Sequence, residues 1–309
     1  MADRRHDEPP EELPPGSEAE QTPLGRFALW IERGNRLRAR AEGARSSHAS
    51  VNVGFGVLES DSAIGGGLLA GALAYRLFVL LLPTTLLLVS GLGLYAGAAD
   101  QSPSKVAREA GLHGLIASQV SETASGRARW IVFLVMIPAV LYALAKLYRA
   151  VAIVHALAWH RSARGIKLSL AGFWLLGGAL ALDLGAAGVV GWIRGRQDFG
   201  GIAALAVYLV LVGGAWLVVS RRLPGGEAGW LALLPGAFVV GVGLLLVNVV
   251  NVYVTTRLVE NRASTYGVLG VATALLFSLV LVGRVIVTSA ELNASVDEHR
   301  RARHTSPDG

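Results

Sequence analysis

Six stretches of this chain run for 16 residues or more with at most one ionisable residue inside, and that feature leaves it very few folds. They cover residues 77–99, 130–145, 168–193, 199–220, 228–256 and 263–290, with Asp183 and Arg284 as the interruptions. Crossing about 30 Å of hydrocarbon takes about 20 apolar residues in a helix. Hydrocarbon offers no partner to a free backbone N–H or C=O, so each crossing must be helical. Composition agrees: 16% of the 309 residues are charged, 53% are hydrophobic, and 38 glycines come on top. A soluble chain carries about 25% charged residues, and the mean hydropathy here is +0.50. These values exclude a disordered chain, a basic nucleic-acid-binding domain and an ordinary soluble enzyme. The expected fold is an all-α polytopic bundle of six membrane-spanning helices. Its first helix reaches back to residue 63 if Arg76 is allowed inside.

Residues 1–62 differ in kind. Five prolines among many acids and bases in residues 1–23 predict disorder. No signal peptide is expected, because no apolar core follows a basic start. Over 24–41, Leu24, Phe27, Trp30, Ile31 and Leu37 share one helical arc, with Arg26, Arg33, Arg36 and Arg40 beside it and Arg38 breaking it. This predicts an interfacial helix on anionic lipid headgroups, or equally a solvated helix against the bundle. The membrane domain is expected over 63–296, followed by a short tail over 297–309. Ser102-Pro103 predicts a short surface helix over 103–120.

Orientation follows from Lys and Arg. With the N-terminus inside, the inner segments carry 18 and the outer ones 8. The best single indicator is 146–167, with five bases and no acid. Both termini are therefore expected on the cytoplasmic side of the cell (inner) membrane.

Ionisable groups within a membrane are costly and mark function by default. Asp183 lies 15 residues after Leu168, about 22 Å along its helix and near the bilayer centre. Arg284 stands seven residues before Glu291, about 10 Å from that end, where its stem can snorkel. Arg76 sits at the inner boundary, or deeper if its helix starts near Ile64. Asn248 and Asn251 lie in the outer half of the fifth segment, Asn248 close to the level of Asp183. Asp183 is expected to pair with Arg76 or Asn248 as inter-helix glue, the alternatives being proton coupling or local water. Arg284 and Glu291 share a face, open to a basic residue such as Arg149. Gly67/Gly71, Gly93/Gly97 and Gly185/Gly188/Gly191 are spaced as close helix contacts are. Enzyme chemistry finds little support: the chain has no cysteine, its seven histidines make no metal-ligand spacing, and no nucleophile elbow or phosphate loop occurs. No cofactor is expected.

Several short blocks resemble the YihY/BrkB family of polytopic membrane proteins over residues 55–296. They are Ala72-Leu73-Ala74-Tyr75 with Phe78 and Pro83, then Leu234-Pro235-Gly236-Ala237, and Tyr266-Gly267-Val268-Leu269-Gly270 with Ala290-Glu291-Leu292-Asn293-Ala294. Arg76 and Thr288-Ser289 depart from the family pattern. The resemblance implies six inner-membrane helices and no established activity. An old ribonuclease label on some members is regarded as mistaken, one member is linked to serum resistance, and others are suspected of envelope or lipid-related transport. It supplies no catalytic residues. Glu291 and Asn293, in the last of these blocks, are expected at the cytoplasmic end of the last helix, making inter-helix or helix-end hydrogen bonds.

Two function classes stay open: transport or flipping of an amphiphile or small solute, and a non-transporting scaffold for envelope partners. The lipid bilayer is the expected partner, a homo-oligomer is compatible, and nucleic acid is not expected. Topology is directly testable because the chain is cysteine-free. A cysteine placed within 112–120 should react with an impermeant maleimide on intact cells, and one within 161–166 should not. The reverse pattern would invert the orientation.

Overall fold

The computed structural model describes residues 61, 64–98, 126–194, 200–250 and 256–305. These residues form six helices: α1 (Gly66–Ala98), α2 (Gly126–Ala158), α3 (Leu170–Arg194), α4 (Gly200–Ser220), α5 (Trp230–Val250) and α6 (Thr256–Thr305). The expected helices over 24–41 and 103–120 fall outside the described residues. Among the described residues, four helical stretches are long and apolar enough to cross a membrane: Gly66–Gly97, Arg129–Ala158, Trp230–Val250 and Ala272–Ala302. Leu170–Ala186 and Ala204–Ser220 are shorter apolar helices. The outward surface is as apolar as the core, with Leu68 84%, Val210 73% and Phe238 67% exposed. A helix apolar all round belongs in lipid, and so does this bundle.

Successive helices run in opposite directions. The Arg129 guanidinium, early in α2, donates to the Gly93 carbonyl late in α1 at 3.3 Å. Gly172 of α3 lies against Tyr148 of α2, Gly241 of α5 against Leu209 of α4, and Gly243 against Val285 of α6. Six alternating helices bring the start of α1 and the C-terminal part of α6 to one end of the bundle. Each helix sends a side chain into a common core: Leu73, Val151, Leu176, Val219, Val240 and Val287. Pro83, Pro138 and Pro235 lie inside α1, α2 and α5. Proline removes a ladder donor, and around Pro83 the hydroxyls of Thr84 and Thr85 donate to the Leu80 and Leu81 carbonyls at 2.7 and 3.0 Å.

Two expectations need correction. The second helix does not end at residue 145 but continues through Lys146 and Arg149 to Ala158. Leu147, Tyr148, Val151 and Ala152 are all buried there, so tertiary packing carries the helix past charges that end a purely apolar run. The glycine spacings mark contact only in part: a Cβ at Gly93 would lie 3.3 Å from the Arg129 side chain of α2, and Gly188 and Gly191 lie outside the positions whose surroundings are described. A Cβ at Gly67, Gly71, Gly97 or Gly185 would meet open space. At Gly283 it would run into the Ala70 carbonyl oxygen of α1, so a glycine outside those pairs permits the closest α1–α6 approach.

The turn after α2 is set by hydrogen bonds. The Arg161 N–H donates to the Ala156 carbonyl at 2.7 Å and the His160 N–H to the Leu157 carbonyl at 3.0 Å. This is the pattern that puts the intervening residue in the left-handed region, and His160 has φ 50°. Beyond it, Arg161 and Glu227 form a two-pronged ion pair at 2.8 and 3.3 Å, joining the loops after α2 and α4. The guanidinium holds the Glu227 carboxyl below the usual carboxylate range. The tie is therefore complete above that range and is lost as pH falls through the lowered value. Both side chains are well exposed, so its contribution is small. A left-handed non-glycine residue is costly, and His160→Gly should stabilise the detergent-solubilised protein by about 0.5–1 kcal/mol. An unchanged or lower thermal midpoint would mean that the His160–Glu298 contact, at 3.6 Å, outweighs the strain.

Candidate functional site

The C-terminal half of α6 carries two polar faces into the bundle. Ser289 and Asn293 are four residues apart and share one face, while Arg284 and Glu291, seven apart, share another. Ser289, Glu291 and Asn293 are completely inaccessible to solvent. Polar groups buried this deeply in an apolar bundle are hydrogen-bonded or have a specific use.

The first face meets α4 and α5. The Trp216 indole N–H donates to Ser289 Oγ at 3.1 Å. The Trp216 ring in turn lies 6.1 Å from that of His155 on α2. His155 is buried, with Nδ1 3.0 Å from the Val151 carbonyl oxygen. A carbonyl only accepts, so Nδ1 carries the proton and donates, and Nε2 has no partner. On α5 the Gly236 N–H donates to Asn293 Oδ1 at 2.8 Å, one residue after Pro235 disturbs the helix ladder. Only glycine fits at that point, because a Cβ would lie 2.5 Å from both the Asn293 amide and the Ser289 carbonyl oxygen.

The second face meets the approach to α1. The Arg284 guanidinium grips the Asp61 carboxylate through both nitrogens, at 2.5 and 2.7 Å. Glu291 has Asp61 and Arg284 as charged neighbours; no N–H or O–H donor reaches its carboxyl oxygens, and it can hydrogen-bond to the Asp61 carboxyl only by sharing a proton with it. The fork that would have satisfied it is occupied by Asp61. Asn293 thus makes an inter-helix hydrogen bond at this end, while Glu291 faces the Asp61 carboxyl. Neither Arg284 nor Glu291 pairs with Arg149, whose side chain is exposed. Asn293 Nδ2 and Ser220 Oγ are likewise buried without partners.

Asp183 stands apart, on α3. Its Oδ1 accepts from the Tyr208 hydroxyl of α4 at 2.7 Å, not from Arg76 or Asn248. Arg76 is half-buried on α1 with its guanidinium 5.8 Å from the Tyr75 ring. Asn248 is half-buried on α5, and Asn251 lies outside the described residues. Tyr266, Gly267 and Gly270 fall within α6 at positions whose side chains are not described. Sequence reasoning missed Asp61 and Tyr208. Asp61 had been assigned to the tail, although an acid just ahead of the Gly65-Gly66-Gly67 entry is a fitting counter-charge for an intramembrane arginine. Tyr208 is the one hydroxyl in the apolar part of α4 before Ser220, a signal that was available.

Chemically, Glu291 and His155 Nε2 are the groups of the α6 cluster that can take up or release a proton. Its packing can be measured separately. Asn293→Ala strands the Gly236 N–H and should cost about 1–3 kcal/mol. Gly236→Ala overpacks the crossing and should cost a similar amount, about 1–3 kcal/mol. The double variant should fall short of their sum by more than about 0.5 kcal/mol in thermal or denaturant unfolding, because removing the amide makes room for the methyl. Strict additivity would mean that the two residues are not coupled.

Residues 62–308 match the family model described as virulence factor BrkB. No curated protein and no solved structure shows a significant match. The matched region takes in all six helices and both polar faces of α6, and the chain belongs to the virulence factor BrkB (YihY/BrkB) family.

Proposed function

We propose that this protein is a six-span carrier of the cytoplasmic membrane, with both termini in the cytoplasm, that moves or flips an amphiphile or small solute. The observation that carries this reading is the Glu291 carboxyl, fully buried in the bundle with no N–H or O–H donor on either oxygen and the Asp61 carboxyl as its neighbour. A group used only as a strut would be expected to have its partners in place, as Asp183 has Tyr208 and Arg284 has Asp61. A carboxyl that no donor holds instead provides a place where a proton or a polar guest can bind and leave. The common end of α1 and α6 is taken as cytoplasmic because Lys and Arg are concentrated there. Catalysis has no part in this reading, since no nucleophile or metal-ligand pattern supports it.

The test is reconstitution of the full chain into liposomes with a fluorescent phospholipid analogue and, separately, a pH-sensitive dye. Protein-dependent flipping or flux is expected, and Glu291→Gln should abolish it while the variant still folds. Asp183→Asn keeps an acceptor for Tyr208 but removes a titratable acid from mid-helix. As Asp183 is a strut held by Tyr208, this variant should keep the pH dependence between about pH 5.5 and 8 and should not unfold. Absence of any protein-dependent signal would leave the scaffold reading in place. Loss of the pH dependence in Asp183→Asn would instead make Asp183 part of the proton path.

A further inference from the structure

Away from the α6 cluster, a cleft of about 260 Å³ opens where the second half of α2, over residues 142–149, meets the segment leading into α3. Its lining includes three cations, Lys146, Arg149 and Lys167, and among the described residues no acid. Lys146 comes from α2 with its ammonium 5.0 Å from the Tyr142 ring. Arg149 follows three residues later on the same face, and Lys167 comes from the opposite wall. Among the described residues none of the three pairs with a carboxylate. That contrasts with Arg161, Arg284 and Arg301, each of which has an acidic partner. Three like charges around one small cavity repel each other unless an anion sits among them.

The surroundings identify the kind of anion. The cleft lies just past the apolar run of α2 that ends at residue 145, beside the segment that enters α3. From its rim, Leu168, Leu170 and Trp174 run outward along the start of α3, and they are 47%, 70% and 63% exposed. Leu170 and Trp174 are four residues apart and share one face of α3. An anion held by the cations would therefore have an apolar track for a hydrocarbon tail beside it. Basic pockets between membrane helices suit phosphate-bearing lipid headgroups. We infer that this cleft is a binding site for the phosphate headgroup of an anionic lipid, with its acyl chain lying along Leu170 and Trp174. The site stands on its own geometry and does not depend on the carrier reading.

A binding measurement keeps the two ideas apart, since a flux assay is not involved. The full chain, purified in a neutral detergent, is titrated with dioleoyl phosphatidylglycerol or dioleoyl phosphatidylcholine, and retained lipid is counted by native mass spectrometry. Wild type should retain the phosphatidylglycerol in preference. Arg149→Gln, at an exposed position, should lower that preference about fivefold, and Lys146→Gln and Lys167→Gln should each lower it about fivefold more. Arg164→Gln removes an equally exposed cation outside the cleft and should change little. Lys146→Arg with Lys167→Arg should retain the preference, which guards against a folding defect in the neutral variants. An unchanged preference in Arg149→Gln, or an equal loss in Arg164→Gln, would overturn the site in favour of general surface charge. Displacement of the lipid by equimolar inorganic phosphate would overturn the lipid assignment in favour of free phosphate.

Discussion

The crossing of α5 and α6 depends on one contact, the Gly236 N–H donating to Asn293 Oδ1. Pro235 takes a donor out of the α5 ladder, and the next residue turns its own donor outward to a neighbouring helix. The absence of a side chain at Gly236 lets the two backbones come together there, with the Ser289 carbonyl as the other wall. Lipid supplies no hydrophobic force between helices, so close approach and inter-helix hydrogen bonds must provide it. Ser289 continues the same face to α4 through Trp216. In this way α6 is joined to both α4 and α5 at one end of the bundle.

Polar residues in the bundle divide by whether their hydrogen bonds are complete. Asp183 and Tyr208 close one pair between α3 and α4, and Arg284 and Asp61 close another beside α1. Glu291 and His155 are left with open atoms. Completed pairs hold helices in register and resist change. Open atoms are costly in hydrocarbon, and the packing around Val287 and Ala290 supports the structure that keeps them in place. The functional reading accordingly centres on Glu291 and leaves Asp183 as a strut between α3 and α4.

Much of the architecture was legible in the residues. Apolar runs gave the helices, since a segment of that length without charge has no other stable form in lipid. The blocks around Pro235-Gly236 and Glu291-Asn293 pointed to positions that the fold does bring into one neighbourhood at the α5–α6 crossing. Side-chain pairing was much less legible. Arg76, Asn248 and Arg149 were reasonable partners by depth, but depth along a helix leaves rotation about its axis open. Rotation decided that Asp183 meets Tyr208 and that Arg284 meets Asp61.

The sequence by itself determined that this is a helical membrane protein, where its apolar segments lie and which few ionisable residues fall within them. Those properties follow from transfer of each segment into hydrocarbon, which depends on local composition alone. Tertiary structure alone decided that α2 extends to Ala158, that Gly283 makes the close crossing of α1 and α6, and that three cations converge on one cleft. Each of these depends on how helices are rotated and packed against one another. That is set by the summed fit of many side chains from segments far apart in the chain, and no local pattern of residues encodes it.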